Sequence, residues 1–421
     1  MSSPAATGLP GLSSAHEVSA ALSGGVWRGP EQRAIVSTRL RCRPHAAQRA
    51  WGLYVPVEPL RAAVVGLNWA GRQHAQTFAQ LQDVDLTAVC DVDSSALDRV
   101  GRWFPDLHRY RDFERMLAEQ QPDLLSIATP ARWHAPQTIL AATRYPPRAI
   151  LCEKPMALSL GEARAMLAAC ERNAVKLSIG HMMRWYTVHE QARALIADGA
   201  IGTPLTATAS MESGGLMNNG THTLSYTQFV LGDPDPQWVI ANVQRKSDSY
   251  ERGWPTEEIS GALISFAGGM RVSFEGDIPP DPRYDWKLQT VTGTDGVLMW
   301  PSEFLATDYA VRIVRRGRGI TETPAPTQTL DDVFRCELNG LAQWARGEIS
   351  ENRNDAHLAI KTQEILMAIF ESARTHTLVR LPLQTMGSPL IESIGTGEFP
   401  VEFPGRYDTR YAVDQPLRSR D

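Results

Sequence analysis

From Leu60 onward the apolar positions follow two different periods. Arg61-Ala62-Ala63-Val64-Val65-Gly66 is a short continuous apolar run, the pattern of a strand buried on both faces of a parallel sheet. Gly66-Leu67-Asn68-Trp69-Ala70-Gly71 then reads as a tight turn into a helix whose inner face includes Ala70, His74, Phe78 and Leu81. A second run, Leu86-Thr87-Ala88-Val89-Cys90, closes on Asp91, 20 residues beyond Gly71. The alternation continues with strands at Asp123–Ala128, Arg148–Cys152 and Val175–Ile179, separated by helices at about Trp133–Arg144 and Ser159–Arg172. Strands alternating with helices predict a parallel sheet in an α/β fold.

After Gly202 the period shortens to two. Ala262, Ile264 and Phe266 alternate up to Gly268-Gly269, and Met270, Val272 and Phe274 alternate beyond it, which predicts a hairpin. Leu288–Thr292 and Val297–Trp300 flank Thr294-Asp295-Gly296 and predict a second. Helices are expected over Leu330–Arg346 and Asp355–Thr375, each with one apolar stripe. They are expected to cover one face of a sheet and leave the other to a partner subunit. Residues 1–58 show no sustained apolar period and read as a disordered extension, and residues 384–421 as an extended arm, wrapped or disordered.

Composition narrows the function. With 421 residues, 43% hydrophobic and 21% charged, the chain has room for two cores. A net charge of -5, with arginines scattered rather than clustered, argues against nucleic acid as partner. No apolar stretch is long enough to span a bilayer. Five cysteines without a C-x-x-C pair fit free thiols in a reducing, cytoplasmic setting, with no zinc or other metal site.

The candidate chemistry sits at strand ends. The strand, the glycine turn, the helix and Asp91 have the spacing of a dinucleotide-binding unit, in which Gly66, Leu67, Asn68, Trp69, Ala70 and Gly71 face the pyrophosphate and Asp91 takes the ribose hydroxyls. Asn68 stands where the middle glycine is usual, a place where Asn tolerates a positive φ at modest cost. A carboxylate at Asp91 repels a 2'-phosphate, so NAD is expected rather than NADP. Thr129, Pro130, Glu153 and Lys154 all fall at carboxyl ends of predicted parallel strands, where open α/β sheets bind ligands. Lys154 is the first of only five lysines in the chain, set between an apolar strand and Pro155.

In this order and spacing these motifs resemble the Gfo/Idh/MocA oxidoreductases, the group of glucose-fructose oxidoreductase and inositol dehydrogenase. The likeness rests on the Gly66–Gly71 turn with His74, on Asp91, on Thr129-Pro130 with His134, on Glu153-Lys154-Pro155, on Arg184, and on Gly214–His222. It runs from about Leu60 to Leu383. It implies a Rossmann domain over 59–180, followed over 181–383 by an α/β domain with a large open mixed or antiparallel sheet used for homo-oligomerisation, as a dimer or tetramer. It also implies NAD(P)-dependent hydride transfer at a carbinol or ketone carbon of a sugar, cyclitol or related polyol. Lys154 and His222 match the catalytic lysine and histidine. Asn218 stands at the aspartate position, and Ser225 where an acid is often found.

Carbinol oxidation needs a base within hydrogen-bond reach, and His222 suits that role. Asn218 cannot take a proton, so it is read as orienting substrate hydroxyls, with a turn residue as the alternative. Lys154 would stabilise developing alkoxide, and Glu153 would meet the nicotinamide ribose. His134 is matched to the cofactor by the resemblance, while as single residues His134, His181 and His189 read at least as readily as satisfied core or surface histidines. Arg184, Tyr186 and Ser225 are candidate substrate contacts, with packing the alternative for Tyr186. Two other functions stay open: a catalytically silent nucleotide or sugar sensor, motivated by Asn218, and an NAD-using glycosidase.

Overall fold

The computed structural model describes residues 58–211, 214–251, 253–276, 288–301, 309–324 and 327–408. The expected extension over 1–58 therefore lies outside the described residues except for Glu58.

Six parallel strands open the fold: β1 (Leu60–Val65), β2 (Val84–Cys90), β3 (His108–Tyr110), β4 (Leu124–Ile127), β5 (Ala149–Glu153) and β6 (Lys176–Gly180). They lie in the order β3-β2-β1-β4-β5-β6, so the strand order reverses beside β1, the place where such sheets bind ligands. Their connections are α1 (Trp69–Phe78), α2 (Ser94–Trp103), α3 (Phe113–Gln120), α4 (His134–Arg144) and α5 (Leu160–Arg172). Ala62, Ala63 and Val64 are wholly buried, as the continuous apolar run requires of a strand covered on both faces. Capping sets the helix starts: Asp93 accepts from Ser95 N at the head of α2, and Ser159 from Glu162 N at the head of α5.

A short 3-10 turn (Met182–Trp185) and α6 (Thr187–Ala197) lead to β7 (Pro204–Ser210), a π-helical turn (Leu216–Gly220) and α7 (Thr221–Val230). The strands β8 (Pro236–Gln244), β9 (Ser247–Glu251), β10 (Trp254–Pro255), β11 (Ile259–Phe266), β12 (Arg271–Gly276), β13 (Leu288–Gly293), β14 (Gly296–Pro301), β15 (Tyr309–Arg315) and β16 (Gly319–Pro324) follow. Next come α8 (Leu330–Arg346), α9 (Ala356–Thr375), β17 (Val379–Arg380), α10 (Pro389–Thr396) and β18 (Phe403–Asp408). Nine of these strands form one mixed sheet, β16-β15-β14-β13-β7-β12-β11-β8-β17, in which only the β12–β7 pair is parallel. Both expected hairpins are present, with Ile264 opposite Val272 and Val291 opposite Leu298.

One expectation changes. The last two long helices do not share one sheet face: α9 packs on β8, but Leu338, Leu341 and Ala342 of α8 join the core of the first sheet beside Leu60, Val64 and Phe78. Each fully buried leucine there stabilises that contact by about 1.5–3 kcal/mol. Periodicity shows which face of α8 is apolar, not what it meets. Of the two alternatives left open for the C-terminal arm, wrapping describes it as far as residue 408, with Leu390 of α10 buried and β18 running parallel to β9; residues 409–421 lie outside the described residues. Cys90, Cys152 and Cys170 are free and buried.

Candidate active site

The turn between β1 and α1 is built for close approach. Gly66 has φ +86, and a Cβ there would meet Ala128 C and O at 2.6 Å; one on Gly71 would meet Gly66 O at 1.7 Å. Glycine is required at both positions, so backbone lies against backbone at the head of α1. Asn68 caps α1 with φ -71, so the left-handed residue of the turn is Gly66 and Asn68 needs no such tolerance. No side chain caps α1 and no acid lies in its first turn, which leaves the positive helix end open to an anion. Asp91 fastens the turn: Oδ2 accepts from Leu67 N at 2.6 Å and Oδ1 from Asp93 N at 2.9 Å. A carboxylate retains further lone pairs for hydroxyl donors. The Leu67 side chain is buried in the core, so only its backbone faces the turn. Trp69 is 52% exposed and lies edge-on to Phe334 at 5.7 Å.

The neighbouring strand ends form the opposite wall. Thr129 Oγ1 donates to Gln137 Oε1 at 2.7 Å. His134 is buried, with Nδ1 2.8 Å from Pro155 O and Nε2 2.9 Å from Thr129 O. Burial lowers its pKa, and a neutral ring donates from one nitrogen at a time. His134 thus sits between the Thr129-Pro130 turn and Lys154-Pro155, with each ring nitrogen facing a backbone carbonyl and one of them donating.

Glu153 ends β5 against α1. His74 lies between two strand ends, with Nδ1 2.7 Å from Ser126 Oγ and Nε2 3.4 Å from Glu153 Oε1. Burial pushes the Glu153 carboxyl up, but the His74 bond and charge and the Lys154 ammonium outweigh it and hold it below its ordinary value. Glu337 of α8 is driven well above its ordinary value by burial and by the Glu153 charge, and accepts from Asn354 Nδ2 at 2.7 Å. The two buried carboxyls are thus pushed in opposite directions, Glu153 down and Glu337 up.

The second half of the chain completes the site. Lys154 Nζ donates to Asn218 O at 2.9 Å and Asn218 Oδ1 at 2.7 Å, 64 residues apart in sequence. Asn218 lies in the π-helical turn that feeds α7, where His222 is 6% exposed. Behind the turn Glu257 accepts from Leu216 N at 2.5 Å, and its carboxyl is raised by burial. Ser225 lies one turn along α7 from His222 and is buried. Lys154, Asn218 and His222 are therefore gathered where β5 meets the head of α7.

Arg184 is a correction. It is 1% exposed, and its guanidinium donates to Ser225 O, Arg353 O and Asp233, with Phe229 5.4 Å beneath it. A guanidinium so engaged holds the fold together and is not presented to a ligand. Tyr186 is 7% exposed and lies 5.6 Å from the His189 ring, which stacks on Tyr226 at 4.3 Å. His181, left among the ordinary histidines, lies 6.0 Å from His222 and bonds Thr221 Oγ1 at 2.9 Å. The signal was available, since it follows β6 as Lys154 follows β5. Among the described residues no His, Cys, Asp and Glu cluster could hold a metal, and no helix is long and apolar enough to cross a membrane.

Residues 60–181 match an oxidoreductase family with an NAD-binding Rossmann fold. The chain is 26% identical over 370 residues to a D-apiose dehydrogenase of Paraburkholderia graminis, covering 81% of this chain and 95% of that protein. It is 26% identical over 340 residues to a D-xylose 1-dehydrogenase (NADP(+)) of Haloferax volcanii, covering 76% and 98%. Its fold is shared by an oxidoreductase from Agrobacterium radiobacter crystallised with NAD+, L-tartaric acid and magnesium, with TM-score 0.65, 23% identity, and 76% and 98% of the two chains covered.

Proposed function

We propose, from the premise that this chain belongs to the Gfo/Idh/MocA oxidoreductase family through residues 60–181, that it is an NAD-dependent dehydrogenase oxidising one carbinol of a sugar, cyclitol or related polyol. The observation that carries the reading is the meeting of Lys154 with Asn218, 2.7 Å from Nζ to Oδ1, one helical turn from His222. The residues present fit the dinucleotide. Glycine at 66 and 71 clears room for a pyrophosphate at an uncapped helix end, and Asp91 offers lone pairs to ribose hydroxyls. The negative charge of Asp91 favours NAD over NADP. Thr129, Pro130 and Glu153 would border the nicotinamide half, whose chemistry is to accept hydride.

The chain's own residues supply the rest. His222 takes the hydroxyl proton, since a neutral imidazole is a base near neutrality and an amide at 218 is not. The Lys154 ammonium stabilises the oxygen as negative charge develops on it. Asn218 aims that ammonium by accepting from it through both its oxygens. Tyr186 and Ser225 line the fold behind this centre.

The named relatives direct the first trial to pentoses. Purified protein is mixed with NAD or NADP and D-apiose, D-xylose, further aldoses, inositols and aminocyclitols, and absorbance of the reduced cofactor is followed. Turnover with NAD is expected. A native protein that binds NAD but oxidises nothing in the panel would favour the sensor reading that Asn218 motivates, and release of a leaving group without net reduced cofactor would mark a glycosidase.

We assign a second copy of the chain to the outer face of the nine-stranded sheet, where Ile240, Leu263 and Val314 are exposed and paired strands line up Leu263 with Ile240. Light scattering should find an oligomer, and Leu263→Arg should dissociate it.

A further inference from the structure

His181 stands at the carboxyl end of β6 as Lys154 does at the end of β5. Its side chain is 2% exposed. Nε2 is 2.9 Å from Thr221 Oγ1, and the ring lies edge-on to His222 with centroids 6.0 Å apart. Nδ1 is buried and has no hydrogen-bond partner among the described residues. Buried polar atoms are nearly always bonded, and the cost of leaving one open is recovered when a ligand closes the bond. His134 shows the contrast, with a carbonyl on each of its nitrogens.

We propose that His181 is a substrate-positioning residue, whose Nδ1 binds a substrate hydroxyl next to the carbinol that His222 and Lys154 act on. The proposal rests on the dehydrogenase reading above. A hydroxyl fits because it both donates and accepts, and so matches Nδ1 in either tautomer. A carboxylate or phosphate does not fit. Burial first, then the charges of Arg184 and Lys154, hold the imidazole well below its ordinary pKa, so it carries no charge to offer an anion. The same neutrality leaves the proton transfer to His222.

Three variants separate the two ring nitrogens. The amide of an Asn at this position reaches about as far as Nδ1, that of a Gln about as far as Nε2, and Phe keeps the packing with neither. Each is assayed with NAD and D-xylose, or with the sugar of the panel turned over fastest. Calorimetric NAD binding and melting temperature are measured alongside. Expected for His181→Phe and His181→Gln is a KM raised about tenfold, with NAD affinity and the pH limb of kcat unchanged; His181→Asn should stay within about threefold of native. If Gln restores the native KM and Asn does not, the ring serves only Thr221 and the proposal is overturned. A native KM in His181→Phe also overturns it. A native protein that binds NAD and turns over no sugar overturns the dehydrogenase reading itself, before any variant is made.

Discussion

Lys154 and Arg184 are both cations placed just past parallel strands, and both were candidates for ligand contact, yet the fold treats them differently. Arg184 is fully buried and gives its donors to the Asp233 carboxylate and to the carbonyls of Ser225 and Arg353. Lys154 is partly buried and donates to the two oxygens of Asn218, which carry no charge. The first arrangement joins the 3-10 turn after β6 to α7 and the start of α9. The second aims an ammonium at the meeting point of the two halves. The lesson is that a cation's role follows from the chemistry of its partners and not from its place beside a strand.

Substitutions should trade outcomes accordingly. The largest effect is expected at Lys154: Lys154→Ala should lower kcat about 1,000-fold while the melting shift produced by NAD is retained. His222→Gln should cost about 100- to 10,000-fold. Arg184→Ala should instead destabilise the fold by about 1–3 kcal/mol, read by denaturant titration, because it leaves the buried carbonyls of Ser225 and Arg353 without their donor while Asp233 keeps Arg193; the folded fraction should keep kcat/KM within about threefold. An inactive but fully stable Arg184→Ala would reverse the comparison.

Asn218→Asp sharpens it. A carboxylate there gives Lys154 the kind of partner Arg184 has, favours the protonated ammonium, and should move the alkaline limb of the kcat profile to higher pH with less than about tenfold change at its maximum. An unmoved limb would mean that Asn218 does not govern Lys154. The smallest effect belongs to an exposed cation. At His357 burial pulls the ring down, but Asp355 and Glu171 outweigh it and raise its pKa. A raised pKa adds stability in acid, fully present below the unfolded value and lost as pH climbs through the folded one. His357→Gln should therefore cost at most about 0.5 kcal/mol at mildly acidic pH, after screening, and nothing in alkali.

Most of the first sheet was legible because its signals are local. Apolar runs such as Ala62–Val65 and the Gly66–Gly71 turn carry their own strand and turn chemistry. The same holds for the two hairpins and for α8 and α9 as helices. What stayed hidden depends on contacts between distant residues. Lys154 and Asn218 are 64 positions apart, and nothing in either neighbourhood states that they touch. Arg184 looked like a ligand contact because its partners Asp233 and Arg353 lie far along the chain. The packing of α8 on α1, and the Glu337 carboxyl it brings near Glu153, were likewise out of reach of periodicity. His181 was within reach, since the strand-end argument made for Lys154 applied to it equally.

The most direct test of a reaction centre at Lys154, Asn218 and His222 follows the hydrogen itself. D-xylose, or the fastest sugar of the panel, is supplied with deuterium at every carbon-bound position, and the reduced nicotinamide is analysed by mass spectrometry. The account predicts that native protein yields reduced cofactor carrying a single deuterium from the sugar, and that Lys154→Ala yields essentially none. Reduced cofactor without deuterium, or equal yields from native protein and Lys154→Ala, would contradict it.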